Sequence, residues 1–208
     1  MIIKLELGML ETNCYIFVDE ETRQGMIIDP GDDVTKLLDI INNEKIQIKY
    51  IVLTHGHWDH IGVVDRIKVH TGAEVLIHED DKECLNDSTK SLSYLLGIIG
   101  PIISADRLIK DGDEIIIGNT TFKVIHTPGH TAGSICMHGG DILFSGDTLF
   151  RGTVGRTDLP GGNAEQLKQS IKNKLLVLND EVNVYPGHGG YTTIGKERPY
   201  FENRWEND

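Results

Sequence analysis

The stretch Ile51-Val-Leu-Thr-His-Gly-His-Trp-Asp-His60 runs from apolar residues straight into three histidines and an aspartate packed within positions 55–60. Residues 48–54, IKYIVLT, form a continuous apolar, β-rich run. Such a run marks a central strand covered on both faces, which needs no polar alternation. Its carboxyl end delivers the polar residues into a loop, the place where α/β scaffolds tend to carry chemistry. Alternate side chains of an extended segment share a face. His55, His57 and Asp59 are therefore expected to project together, with His60 brought in by a bend of the loop.

Outward from this stretch, the N-terminal part shows three short apolar bursts at 2–7, 13–18 and 25–28. Turn residues separate them, as in an antiparallel meander. The third ends at Asp29-Pro30-Gly31, a turn signal. Val34, Leu37, Leu38 and Ile41 fall at helical spacing and predict a helix over 33–44. A second helix runs through Val63, Val64 and Ile67 and stops at Gly72, with a strand at 73–78 behind it. Segment 85–105 mixes polar, Gly and Pro breaks with exposed-looking Leu and Ile, and reads either as a lid or substrate loop or as a plain connection.

The β pattern resumes at 107–109, 114–118, 120–126, 134–138 and 141–145. A Gly-rich loop (151–162), a helix (164–178, with Leu167, Ile171, Leu175 and Leu178 inward), a strand (182–186) and a closing helix from Ile194 follow. The two halves repeat in outline. Two sheets face to face with helices outside bury these runs in an α/β, four-layer αβ/βα sandwich. Residues 1–208 are expected to form a single domain.

Lys plus Arg number 20 against 32 Asp plus Glu, so the formal charge is 20 − 32 = −12. An acidic chain without clustered cations is a poor partner for a nucleic-acid backbone. No signal peptide is visible and no stretch approaches the roughly 20 apolar residues of a membrane helix. Cys14, Cys84 and Cys136 are odd in number and widely spaced. They read as small buried strand thiols in a reducing, cytoplasmic setting, not as disulfides or a CxxC site.

Three further polar clusters share the placement of the first. His130 follows the strand at 120–126, Asp147 follows 141–145, and His188 follows 182–186. Gly129, Gly146 and Gly187 beside them allow sharp bends and close approach. Together the clusters supply five imidazoles (His55, His57, His60, His130, His188) and two carboxylates (Asp59, Asp147). One tetrahedral ion takes three or four protein ligands. Seven suit two ions sharing a carboxylate and a water. Zinc fits this donor set, as do iron and manganese. His70, His78, His126 and His138 read as ordinary surface or satisfied histidines.

Taken in order, these clusters resemble the metallo-β-lactamase superfamily over nearly the whole chain. The resemblance implies that His55, His57 and His130 bind one ion, that Asp59, His60 and His188 bind the other, and that Asp147 bridges. Asp29 matches a strand-end aspartate lying behind the ligands; on its own it reads equally as a turn-capping residue. His57 stands where flavodiiron proteins place Glu, and Asp147 where β-lactamases typically place Cys. The segments TPGHTAGS, FSGDTLFRGTVGRTDLPGG and GYTTIGKER look like short glyoxalase II-like hydrolases. The basic C-terminal helical region of longer glyoxalase II enzymes has no counterpart here. Lys196 and Arg198 are late cations that read as anion ligands or as solvated charges on a terminal helix.

The expected activity is hydrolysis of a thioester of the S-lactoylglutathione type by a metal-bridging hydroxide, with Asp59 orienting the nucleophile. The expected partner is thus a small-molecule substrate. Arg156 and Asp158 border the pocket or pair with each other. A mononuclear-iron persulfide dioxygenase is the leading alternative, since such enzymes carry a segment like Gly155 to Asp158. Lactonase or phosphodiesterase chemistry and a non-catalytic metal-binding module are the others.

Overall fold

The computed structural model describes the backbone of residues 1–97 and 102–205, and side chains to residue 201. Six strands form the first sheet: β1 (Ile2–Leu7), β2 (Thr12–Val18), β3 (Gln24–Ile28), β4 (Gln47–Val52), β5 (Glu74–His78) and β6 (Arg107–Ile109), in that spatial order. β1, β2 and β3 pair antiparallel, as the meander pattern predicts. From β3 onward the sheet is parallel. β7 (Glu114–Ile117), β8 (Thr120–His126), β9 (Ile135–Gly139), β10 (Ile142–Gly146), β13 (Asn183–Pro186) and β14 (Thr192–Thr193) form the second sheet, in the order β14-β13-β10-β9-β8-β7. A short hairpin, β11 (Leu149–Phe150) and β12 (Thr153–Val154), stands apart.

Three apolar clusters explain the four layers. Tyr15, Phe17, Met26, Val52 and Leu76 of the first sheet meet Ile115, Phe122, Val124, Met137 and Phe144 of the second. Phe17 and Phe122 make an edge contact at 4.9 Å across this interface. The alternate residues Cys14, Ile16 and Val18 of β2 point the other way. They pack with helices α1 (Val34–Asn43) and α3 (Val64–Thr71) through Leu37, Ile41, Val64 and Ile67. A third cluster joins Cys136, Leu143 and Val184 to Leu167, Ile171 and Leu175 outside the second sheet. The αβ/βα sandwich is thus built from strands that are apolar on both faces.

Four details differ from the sequence expectations. Residues 107–109 extend the first sheet beside β5 and do not open the second half. The helix expected over 164–178 is α4 (Ala164–Ser170) followed by a wider π turn (Ile171–Leu175). The Gly-rich loop contains part of the β11–β12 hairpin. Arg198, on the last helix α5 (Ile194–Trp205), is neither an anion ligand nor a solvated charge. Its guanidinium donates to the Leu176 and Leu178 carbonyls and pairs with Asp180, closing the end of the preceding helix. Of the 85–105 segment, residues 98–101 lie outside the described residues. No helix among the described residues is long and apolar enough to cross a membrane.

Candidate metal centre

Strand direction decides where the polar clusters meet. β3, β4 and β5 run parallel, so the residues after them, Asp29, Thr54–His60 and Asp81, emerge at one edge. β8, β10 and β13 also share a direction, since β9 is antiparallel to both β8 and β10 while β13 is parallel to β10. The edges face each other across the sandwich. Two cross-links hold them in line: Ile135 N–H donates to Thr54 O at 2.8 Å, and Asn13 N–H donates to Gly187 O at 2.7 Å.

All seven expected residues come together. His57 Nδ1 lies 2.9 Å from His130 Nε2, which lies 3.2 Å from His55 Nε2. His60 Nε2 lies 3.3 Å from His188 Nε2 and 3.3 Å from Asp59 Oδ2. Asp147 stands between the two groups, 3.5 Å from His60, His130 and His188. Its Oδ1 is buried without a hydrogen-bond partner. His55, His57, His60 and His130 are buried, and His188 is partly exposed.

The route by which Asp59 arrives corrects the sequence reading. The extended segment ends at His57, and a short helix α2 (Trp58–Ile61) follows. Asp59 therefore projects with His60 from a helical turn, not with His55 and His57. This sends the two pairs into different groups.

Each inward nitrogen is set by what the outer nitrogen does. His130 Nδ1 faces Arg156 O at 2.8 Å, His188 Nδ1 faces Leu10 O at 3.1 Å, and His60 Nδ1 faces Asp29 Oδ2 at 3.0 Å. Those partners only accept, so the outer nitrogens carry protons and each Nε2 is left facing inward as the ligand atom. Thr54 Oγ1 donates to Asp29 Oδ2 at 2.6 Å and is left as the acceptor for His55 Nδ1 at 3.2 Å. Four inward ring nitrogens thus converge, each a lone-pair donor once its ring is neutral. Ligands about 2.1 Å from one tetrahedral ion stand roughly 3.4 Å apart, near the spacings found here.

Asp29 is more than a turn cap. It is buried in a left-handed backbone conformation (φ 54°) and also accepts from Thr54 N–H at 2.8 Å. Arg156 and Asp158 form a two-pronged exposed pair at 2.8 Å. Of that pair, Arg156 also borders the pocket, and its carbonyl holds His130. The loop at 187 needs glycine for close approach: a Cβ there would stand 2.2 Å from Asp147 Oδ1.

Several supporting residues gave no clear sequence signal. Thr12 Oγ1 donates to Asp59 Oδ2 at 2.9 Å, and the Asn13 side chain donates to Pro186 O and Gly189 O. Asp81 is buried and accepts from Gly56 N–H, Thr131 Oγ1 and Gly133 N–H. The polar Thr-Asn pair heading an apolar strand is the one hint visible beforehand. Trp58 borders the cavity, and its N–H donates to Ser91 O, tying the loop to segment 85–105. Cys84 sits in a 3-10 turn, not a strand, and burial pushes its thiol up to about 12. His78 and His126 stack at 4.0 Å with 12° between rings. With Asp80 they bring three potential ligand atoms within 4.8 Å of one another, and His126 Nε2 contacts Ala132 O.

The chain is 38% identical to the hydroxyacylglutathione hydrolase GloC of Haemophilus influenzae, over 90% of each chain. Among solved structures it resembles BLEG-1, described as a B3 metallo-beta-lactamase, with 38% identity, a TM-score of 0.91 and 96% and 97% of the two chains covered. It also resembles TTHA1623 in a di-iron-bound form, with 36% identity, a TM-score of 0.83 and 94% and 96% covered. A family model, the metallo-beta-lactamase superfamily, matches residues 7–188. That span takes in every residue of both histidine–carboxylate groups, and the chain belongs to the metallo-beta-lactamase superfamily, whose members are mostly metal-dependent hydrolases.

Proposed function

We propose that the two groups hold two divalent ions and that the chain hydrolyses a thioester of the S-lactoylglutathione type. The observation carrying this reading is the convergence of four anchored imidazole lone pairs beside the unpartnered Oδ1 of Asp147. On this reading His55, His57 and His130 hold one ion, Asp59, His60 and His188 the other, and Asp147 reaches both. Ions bound there supply a hydroxide at neutral pH and positive charge for a carbonyl oxygen.

Hydrolysis adds water across the C–S bond: a C–O bond forms, the C–S bond breaks, and a proton passes to the departing thiolate. Asp59 is the residue that orients the attacking water, its carboxylate fixed by the Thr12 hydroxyl. Leu10, Trp58 and Phe150 wall the cavity over the centre. Three cysteines lie outside the seven-residue set, and none is asked to act as a nucleophile.

The test is metal analysis of purified protein alongside S-lactoylglutathione cleavage, with nitrocefin hydrolysis and oxygen uptake on glutathione persulfide run in parallel. About two ions per chain and thioester cleavage are expected. The structural likeness to ETHE1 from Myxococcus xanthus, at 31% identity and a TM-score of 0.81, favours a second reading, a mononuclear-iron persulfide dioxygenase. Iron content with oxygen uptake and no thioester cleavage would establish that reading and remove the first.

Removing the support should weaken the ions. Asp29→Ala strips the acceptor from Thr54 N–H, Thr54 Oγ1 and His60 Nδ1. A loss of about 10–100-fold in metal affinity is expected, read by competition with a chelating dye. An unchanged affinity would show that Asp29 does not orient His60.

The two groups should also differ in pH response. Burial among other imidazoles holds His57 down to about 3 and His55 well below the ordinary range. Burial opposes charge on His60 and His188 too, but Asp59 and Asp147 outweigh it and hold both above the ordinary value. An ion entering the second group must displace those protons, whereas His55 and His57 offer bare nitrogens to the first. Affinity of the second group thus rises with pH. Dialysis from about pH 8 to about pH 5 should weaken binding at the second group more than at the first. Equal loss at both would contradict the assignment.

A further inference from the structure

The cavity over the metal centre is apolar where a glutathione thioester would need charged partners. About 450 Å³ of space opens onto His57, Asp59, His130, Asp147 and His188. This is ample for a small-molecule ligand. Its walls include Leu10, Trp58, Leu95, Phe150, Val154 and Leu159. Arg156 is the one cation among the described lining residues, and both prongs of its guanidinium already hold Asp158. A substrate carboxylate set against these walls would lose water without gaining a partner.

The apolar lining also continues outward. Leu10 is 50% exposed and Leu95 is 59% exposed at the mouth, and their chain neighbours Met9, Tyr94 and Leu96 are exposed as well. Exposed apolar residues grouped beside a cavity mark a place where something apolar is bound.

Keeping the thioester reading but replacing S-lactoylglutathione as its substrate, we infer that the substrate is an acyl thioester whose acyl part is a neutral hydrocarbon chain, seated against Leu10, Leu95, Phe150 and Leu159. The reacting carbonyl lies at the metal centre, and the chain leads toward the mouth between Leu10 and Leu95. Leu92 and Leu95, from the described part of segment 85–105, thereby contribute a wall of the substrate site. Each methylene buried there is worth about fourfold in affinity, from the usual transfer free energy.

The test uses thioesters of N-acetylcysteamine, whose leaving thiol is neutral and constant, with acetyl to octanoyl acyl groups. For the metal-loaded protein, kcat/KM is expected to rise about three- to fourfold per methylene over the first several. S-lactoylglutathione should fall below the octanoyl compound by about tenfold or more. Binding of the corresponding non-cleavable S-alkyl thioethers, followed by calorimetry, should tighten with chain length and show an increasingly negative heat-capacity change. Leu95→Asp should flatten both series. Thioether affinity independent of chain length, or a preference for S-lactoylglutathione, overturns the inference. Failure to cleave any thioester overturns the hydrolase reading instead, and the thioether series still decides the apolar site.

Discussion

Asp147→Ala is expected to lower kcat/KM for thioester cleavage by about three to four orders of magnitude, because several kcal/mol of charge stabilisation depend on both ions being held together. Asp147 is the residue that touches both groups, lying 3.5 Å from His130 on one side and from His60 and His188 on the other. On the metal-free fold Asp147 Oδ1 makes no hydrogen bond, and the carboxylate's neighbours are the His60, His130 and His188 rings at 3.5 Å. Asp147→Ala should therefore gain less thermal stability from added ions than the unaltered protein does. Metal content, kcat/KM and thermal unfolding with and without chelator measure these effects. Full activity in this variant would refute the proposed centre.

Asp81→Ala is expected to give the larger loss of stability, about 3–5 kcal/mol, because a buried charged acceptor with several donors is removed outright. Asp81 is 3% exposed and holds Gly56 N–H at 2.9 Å, Gly133 N–H at 2.8 Å and Thr131 Oγ1 at 2.7 Å. Thr131 keeps Ser134 Oγ as a second partner, but the two backbone groups keep none through side chains. Gly56 lies between His55 and His57, and Thr131 follows His130, so metal affinity should fall with stability. Urea unfolding reads the first effect and ion titration the second. A change below about 1 kcal/mol would show that water replaces the carboxylate at no net cost.

The ligands were legible in the sequence because each sits directly after a strand, where chain order and strand direction together fix the edge on which it emerges. The sandwich was legible for a similar reason: runs such as Ile48–Val52 are apolar at every position or nearly so, which fits a strand covered on both faces. What the sequence did not disclose depends on contacts between distant segments. Nothing in the spacing of Asp81 relates it to Gly56 or to Thr131. The assignment of 107–109 to the first sheet follows from pairing with β5, and three residues carry too short a pattern to choose between sheets. The extended reading of 55–59 failed because the chain turns helical at Trp58, where Trp58 N–H and His60 N–H find Ser91 O and His57 O. Arg198 looked like a free cation because the carbonyls it closes lie about twenty residues earlier in the chain.

The two sheets join at the exposed turn around Gly112, and each ion site draws on both sides of that turn. His55 and His57 come from before it and His130 from after it; Asp59 and His60 come from before it and His188 from after it. Neither half alone holds a complete set. Ions bound at the centre would act as bolts through the joint, adding their binding free energy to the association of the halves. A chain opened at Gly112 would yield two fragments whose reassembly tightens with metal concentration, so that occupancy becomes a readout of whether the two sheets have met.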